Sequence, residues 1–233
     1  MTKTRLFIAR HGKTMFNTIG RAQGWSDTPL TKEGERGIQE LGLGLKAAGL
    51  NFVAAYSSDS GRTLQTMEII LREMGQSDIP YKRDKRIREW CFGSLDGGYD
   101  AELFNGVVPR VFDKPVEEMT YQDMADAILA VDTAGWAEPW DILRDRILSG
   151  FTDIAKEVES LGGGDAIVVS HGMTIGTLMG LIDPSLPRSL ALDNGSVCQV
   201  TYEADTFHIE AIGDMTYRQK GREILARENH EKV

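Results

Sequence analysis

Two histidines in this chain close apolar runs and are followed at once by glycine. Leu6-Phe7-Ile8-Ala9 leads into Arg10-His11-Gly12, and Ala166-Ile167-Val168-Val169-Ser170 leads into His171-Gly172. The chain has four histidines, so two of them share this placement. In an open α/β sheet, ligands bind beyond the carboxyl ends of the strands. Two imidazoles there, one preceded by arginine, suit chemistry on an anion. Arg62 adds a second guanidinium from the turn Ser57-Ser58-Asp59-Ser60-Gly61-Arg62-Thr63. Guanidinium forks match phosphoryl oxygens in geometry and charge, so phosphate fits this set better than carboxylate. A neutral imidazole held through its far nitrogen can attack phosphorus. The arginines, with a protonated histidine, would offset the charge of the phosphoryl oxygens during in-line transfer. Glu89, in a loop beside Trp90, is the candidate proton donor for the leaving oxygen. Gly12, Gly61 and Gly172 are expected to let backbone amides approach the anion.

These residues need strands and turns that open on one side of a sheet. Leu6–Ala9 reads as a first strand. Thr31 caps a helix with Ile38, Leu41 and Leu45 on its apolar face, and Phe52–Tyr56 reads as a second strand. Asp59 or Ser60 caps a helix carrying Leu64, Met67, Leu71 and Met74, stopped by Gly75. Ile79–Lys82 is a short strand. Trp140 to Leu161 keeps a three-or-four apolar spacing, Ala166–Ser170 is the central strand, and Met173–Ile182 is the helix leaving it. Ser196–Tyr202 and Phe207–Ile212 alternate like a hairpin around Ala204-Asp205. The fold class is α/β: a three-layer αβα arrangement on a mainly parallel sheet with an antiparallel edge.

The chain of 233 residues, 41% hydrophobic, suits one domain. Its net charge of -9 is concentrated. Between Asp96 and Asp141 stand eleven acids against Arg110 and Lys114, which leaves 24 acids and 24 bases elsewhere. An insertion over about 98–137 is therefore expected, punctuated at first by Pro and Gly and then weakly helical through Met124, Ile128 and Val131, lying as a cap near the pocket. Its charge is expected to disfavour highly phosphorylated substrates. A basic stripe for nucleic acid, a membrane-length apolar run and a signal peptide are all lacking in the sequence. Cys91 and Cys198 form neither a disulfide framework nor a zinc motif, so two free thiols in a cytoplasmic protein are expected. His208 is expected on the exposed face of a strand, His230 in a solvated tail, and Trp136 and Trp140 in packing. Val107, Val108, Val111 and Phe112 suit either a cap core or a homodimer interface.

The stretches Arg10-His11-Gly12-Lys13-Thr14 with Asn17, Gln23–Thr31, Ser57–Thr66, Glu89 with Phe92-Gly93 and Gly97, and Val168–Gly172 occur in order. On these residues the chain resembles the histidine phosphatase superfamily, the phosphoglycerate-mutase-like proteins. The resemblance covers most of 5–97 and 140–200. It implies that His11 accepts the phosphoryl group, that Arg10, Arg62 and His171 clamp it, and that Glu89 is the proton donor. Asn17 would be a further phosphate contact, Gln23-Gly24 would line the pocket, and Gly172 would border it. No metal or other cofactor is implied, and the partner is a small phosphorylated metabolite. Two departures bear on activity. Lys13 replaces the Glu or Gln often found there, at the expected pocket edge. Phe92 stands where mutases of this family typically carry tyrosine, and the insertion lacks their adjacent arginine pair. A phosphatase is therefore expected, with a phosphoglycerate mutase and a non-catalytic phosphate-binding module as alternatives.

Overall fold

The computed structural model describes residues 3–188, 190 and 192–231, and the His230 side chain lies outside what is described. Six strands form one sheet: β1 (Thr4–Arg10), β2 (Phe52–Ser57), β3 (Tyr81–Arg83), β4 (Gly164–Ser170), β5 (Val197–Glu203) and β6 (Thr206–Asp214). Their order is β3-β2-β4-β1-β5-β6. The first four in that order are parallel, while β5 and β6 form the antiparallel edge.

The helices are α1 (Met15–Thr18), α2 (Lys32–Ala47), α3 (Gly61–Met74), α4 (Asp100–Glu102), α5 (Val108–Phe112), α6 (Tyr121–Val131), α7 (Trp140–Ser160), α8 (Gly172–Ile182) and α9 (Thr216–Glu231). Thr31 caps α2 by accepting from the Gly34 amide, and Gly75 ends α3 at φ 72°. The inner strands are buried on both faces and therefore continuously apolar. Alternate side chains divide into two cores. Leu6, Ile8, Ala166 and Val168 face α7, α8 and the insertion, while Phe7, Ala9, Ile167 and Val169 face α2 and α3.

Three elements depart from the sequence reading. The short strand is Tyr81–Arg83 rather than Ile79–Lys82. The first half of the insertion, read as punctuated by Gly and Pro, is helical from Asp100 to Phe112 through a π-turn at Leu103–Val107. The charged tail forms α9, which packs against α2 so closely that a Cβ on Gly44 would lie 1.8 Å from the Tyr217 carbonyl oxygen. Glu40 of α2 is buried there between Arg218 and Arg222. In the insertion, Val108 is buried and Val111 packs on the core, while Phe112 is half exposed. His208 is exposed, and Trp136 is 71% exposed rather than packed. Both cysteines are free and buried. No described helix is long and apolar enough to cross a membrane.

Candidate active site

The doubled histidine arrangement follows from strand pairing. Parallel β1 and β4 pair Arg10 with Ser170, so the next residue of each strand is a histidine. The His11 and His171 rings lie 5.3 Å apart between centroids, at 63°. Ser57 of β2 pairs with Val169, which brings Ser58 and the Arg62 turn alongside.

The hydrogen bonds fix the state of both imidazoles. His11 Nδ1 lies 2.8 Å from the Gly12 carbonyl oxygen, so it must carry the proton and donate. Nε2 is left with its lone pair and has no partner among the described residues. Burial, then Arg62 and Arg10, hold the His11 pKa well below its ordinary value. His171 Nδ1 accepts from Arg62 Nη2 at 2.9 Å, because a guanidinium can only donate. Its Nε2 therefore carries the proton and donates to Ser58 Oγ at 2.7 Å. Burial and the charge of Arg62 push this pKa down too. The unliganded site thus holds His171 neutral, where the sequence reading expected a charged clamp.

The arginines are built around unmet donors. Arg62 is fully buried, with Nη1 donating to Ser26 O and Asp27 Oδ1 at 2.9 Å. Its Nη2 serves the Gly24 carbonyl at 2.8 Å as well as His171. Arg10 Nη1 donates to the Leu192 carbonyl at 2.6 Å. The Nε of each arginine is buried without a partner. Orphaned buried donors of this kind are rare and call for an acceptor. Gly172 lets Arg10 lie against the start of α8, since an added Cβ would meet its Nε at 3.3 Å.

Glu89 is fastened across that same helix start. Oε1 accepts from the amides of Trp90 (3.0 Å) and Thr174 (2.9 Å), while the Thr174 hydroxyl donates to the Arg88 carbonyl at 2.7 Å. Oε2 accepts only from the Met173 amide, at 3.0 Å, and keeps room for a proton. The Glu89 carbonyl is held in turn by Trp25 Nε1 (3.0 Å) and Arg146 Nη2 (2.9 Å).

Arg10, His11, Asn17, Gln23, Glu89 and Gly172 share the wall of one cavity of about 380 Å³. Arg62, His171 and Gly24 stand behind that wall rather than in it. Gly24 contributes its carbonyl to Arg62, and a Cβ there would come within 2.4 Å of the Trp90 carbonyl oxygen. Asn17 Oδ1 belongs to the capping box of α1, accepting from Thr14 N at 3.2 Å. Its Nδ2 has no partner among the described residues. Gln23 Oε1 accepts from the Thr14 hydroxyl at 2.7 Å and Nε2 donates to the Thr28 hydroxyl at 3.0 Å, which fixes the side chain in the cavity wall. The glycines act differently from expectation. The Gly12 amide donates to Thr66 Oγ1 at 3.0 Å, and Gly61 lies against Asp27, away from the cavity. Lys13 pairs with Glu33 at 2.9 Å and lines a separate hollow.

The insertion does reach the cavity, through Asp100, Phe104, Val116, Tyr121 and Met124. Asp100 is the only one of its acids on this wall, and Arg10, Arg21 and Arg188 outnumber Asp100 and Glu89. The expected exclusion of highly charged substrates thereby loses its premise. Desolvation raises the Asp100 pKa against the pull of Arg10. Arg21, Arg188, Tyr121 and Asn194 escaped the sequence reading. Asn194 Nδ2 donates to the His11 carbonyl at 2.9 Å, and Arg218 of α9 holds the Asn194 carbonyl at 2.8 Å. The only sequence signal at Asn194 was an ordinary Asp-Asn-Gly turn. Among the described residues no group of three His, Cys, Asp or Glu side chains could hold a metal ion.

Residues 6–215 match the model of the histidine phosphatase superfamily (branch 1). A 2,3-bisphosphoglycerate-dependent phosphoglycerate mutase of Borrelia garinii subsp. bavariensis is 34% identical, over 77% of this chain and 77% of its own length. A probable phosphoglycerate mutase GpmB of Salmonella paratyphi A is 31% identical over 91% and 94%. The crystal structure of phosphoglycerate mutase from Bacillus anthracis str. Sterne superposes with a TM-score of 0.88 at 36% identity, covering 95% of this chain and 97% of that one.

Proposed function

The chain belongs to the histidine phosphatase superfamily, and we propose that it is a metal-independent phosphomonoesterase acting through a phosphohistidine on His11. The observation that carries the reading is the buried, unpartnered Nε of Arg10 on the cavity wall it shares with a neutral His11, whose Nε2 lone pair is unengaged. A phosphoryl group beside His11 supplies the acceptor this donor lacks. Nε2 attacks phosphorus in line as the bond to the leaving oxygen breaks. Glu89 Oε2 delivers a proton to that oxygen. Water then attacks the phosphohistidine, gives its proton to Glu89 and restores the His11 lone pair. His171, behind the ring, keeps Arg62 aimed by accepting from its Nη2. Asn17 Nδ2 is a further donor to the phosphoryl oxygens. The substrate is a small phosphorylated metabolite.

Hydrolysis rather than transfer to a second substrate is supported by what the cavity of about 380 Å³ lacks. Phe92 lines it without a hydroxyl, and no adjacent arginine pair stands in the insertion. Interconversion of 2- and 3-phosphoglycerate is the second reading, favoured by the names of the relatives above. Phenyl phosphate turnover in the presence of chelator, set beside bisphosphoglycerate-primed interconversion, separates the two. The phosphatase reading expects phenol release that His11→Ala abolishes. Primed interconversion without phenol release overturns it.

A further inference from the structure

The cavity over His11 does not end at the insertion. It shares Val116, Tyr121, Met124, Met173 and Arg188 with a second cavity of about 430 Å³ that continues over Leu186 and Pro187. The second chamber touches none of Arg10, His11 or Glu89, and Arg188 stands where the two cavities meet. Its Nη2 donates to the Glu117 carbonyl at 2.7 Å. Its Nε is buried without a partner, and it forms no ion pair among the described residues. The Glu117 carboxylate also borders this chamber, yet it is the carbonyl that holds Arg188. Tyr121 lies beside it, its hydroxyl without a partner among the described residues. Burial pushes this phenol up to about 12, so it remains a donor at neutral pH.

We propose that Arg188 and the Tyr121 hydroxyl form a second anion subsite, and that the substrate is a phosphate monoester with an apolar body and a distal anionic group. This rests on the reading of the His11 cavity as the phosphoryl site. The apolar body lies on Met124, Met173 and Val116, surfaces that a short polar skeleton has no use for. The distal anion satisfies Arg188, whose charge is otherwise left over a largely apolar wall. Pairing with a guanidinium adds a charge-assisted hydrogen bond, enough for about a tenfold preference.

The test is calorimetric binding of non-hydrolysable benzylphosphonates carrying, on a short para arm, a carboxylate, its methyl ester, a second phosphonate, or an amine. Wild-type protein is expected to bind the carboxylate or the second phosphonate about tenfold more tightly than the methyl ester. The better of the two identifies the distal group. Arg188→Gln is expected to remove the preference, and Arg188→Glu to transfer it to the amine. Arg188→Lys keeps the charge and should keep most of the preference, so a folding defect is not mistaken for a lost subsite. Equal binding of acids and methyl ester by wild type, or a preference that survives Arg188→Gln, overturns the proposal. Binding is read without turnover, so a failure of the phosphatase reading shows separately, as absent phenol release.

Discussion

Replacing Glu89 by glutamine separates proton donation from every other property of the site. The carboxylate accepts three backbone hydrogen bonds, two at Oε1 and one at Oε2. The amide oxygen will take the two-donor position, which leaves the NH₂ group facing the Met173 amide. One charge-assisted bond is then lost and two donors oppose each other, a cost of about 2–3 kcal/mol. For a domain of this size that lowers Tm by roughly 4–12 °C. The fold should survive, but Oε2 no longer has a proton to give. Expulsion of an alkoxide needs that proton, so the first step with an alkyl phosphate should slow by about 10²–10⁴-fold. p-Nitrophenolate leaves without help, so its release should fall by less than about tenfold. The assay is rapid mixing: the burst of p-nitrophenolate against single-turnover cleavage of the alkyl ester. Return of the water proton also fails in Glu89→Gln, so a preserved burst followed by slow turnover is expected. Equal slowing of both first steps refutes the assignment.

Two further perturbations follow from the geometry. Both buried imidazoles have folded pKa values pushed below the ordinary 6.5. The unfolded chain therefore binds protons first, and the stability present above pH 6.5 is lost as pH falls towards the lowered folded values. His171→Gln can accept from Arg62 and donate to Ser58 without titrating, so its Tm should fall less than that of wild type between pH 7.5 and 5. A variant with the wild-type slope contradicts the neutral assignment. Gly44→Ala places a Cβ 1.8 Å from the Tyr217 carbonyl and should cost about 1–3 kcal/mol in urea unfolding, with α9 losing hydrogen-exchange protection ahead of the sheet.

Much of this arrangement was legible because strand ends obey simple rules. Apolar runs closed by Arg10-His11 and Ser170-His171 predict neighbouring parallel strands, and the Arg10–Ser170 register makes that pairing literal. Thr31 and Gly75 announce their helix ends through their own conformations. What could not be read depends on contacts between distant segments. The charged tail around His230 reads as solvated, yet Arg218 and Arg222 upstream surround buried Glu40. Gly221 permits close contact with the Glu40 backbone. Gly106 and Pro109 suggested a loop, but Pro109 sits in the first turn of α5, where its missing N–H costs little. The tautomer of His171 turns on which ring nitrogen faces Arg62, a matter of orientation that no spacing encodes. Arg21 and Arg188 come to one cavity from opposite ends of the chain.

The central claim is that the His11 Nε2 becomes covalently phosphorylated. Mixing the protein with a ³²P-labelled aryl phosphate and quenching in alkali within milliseconds tests it, because phosphohistidine survives alkali and is lost in acid. The account predicts label on the peptide containing His11, base-stable and acid-labile, chased by water and absent in His11→Ala. Hydrolysis at full rate with no label on His11, or phosphate binding with neither label nor turnover, contradicts it.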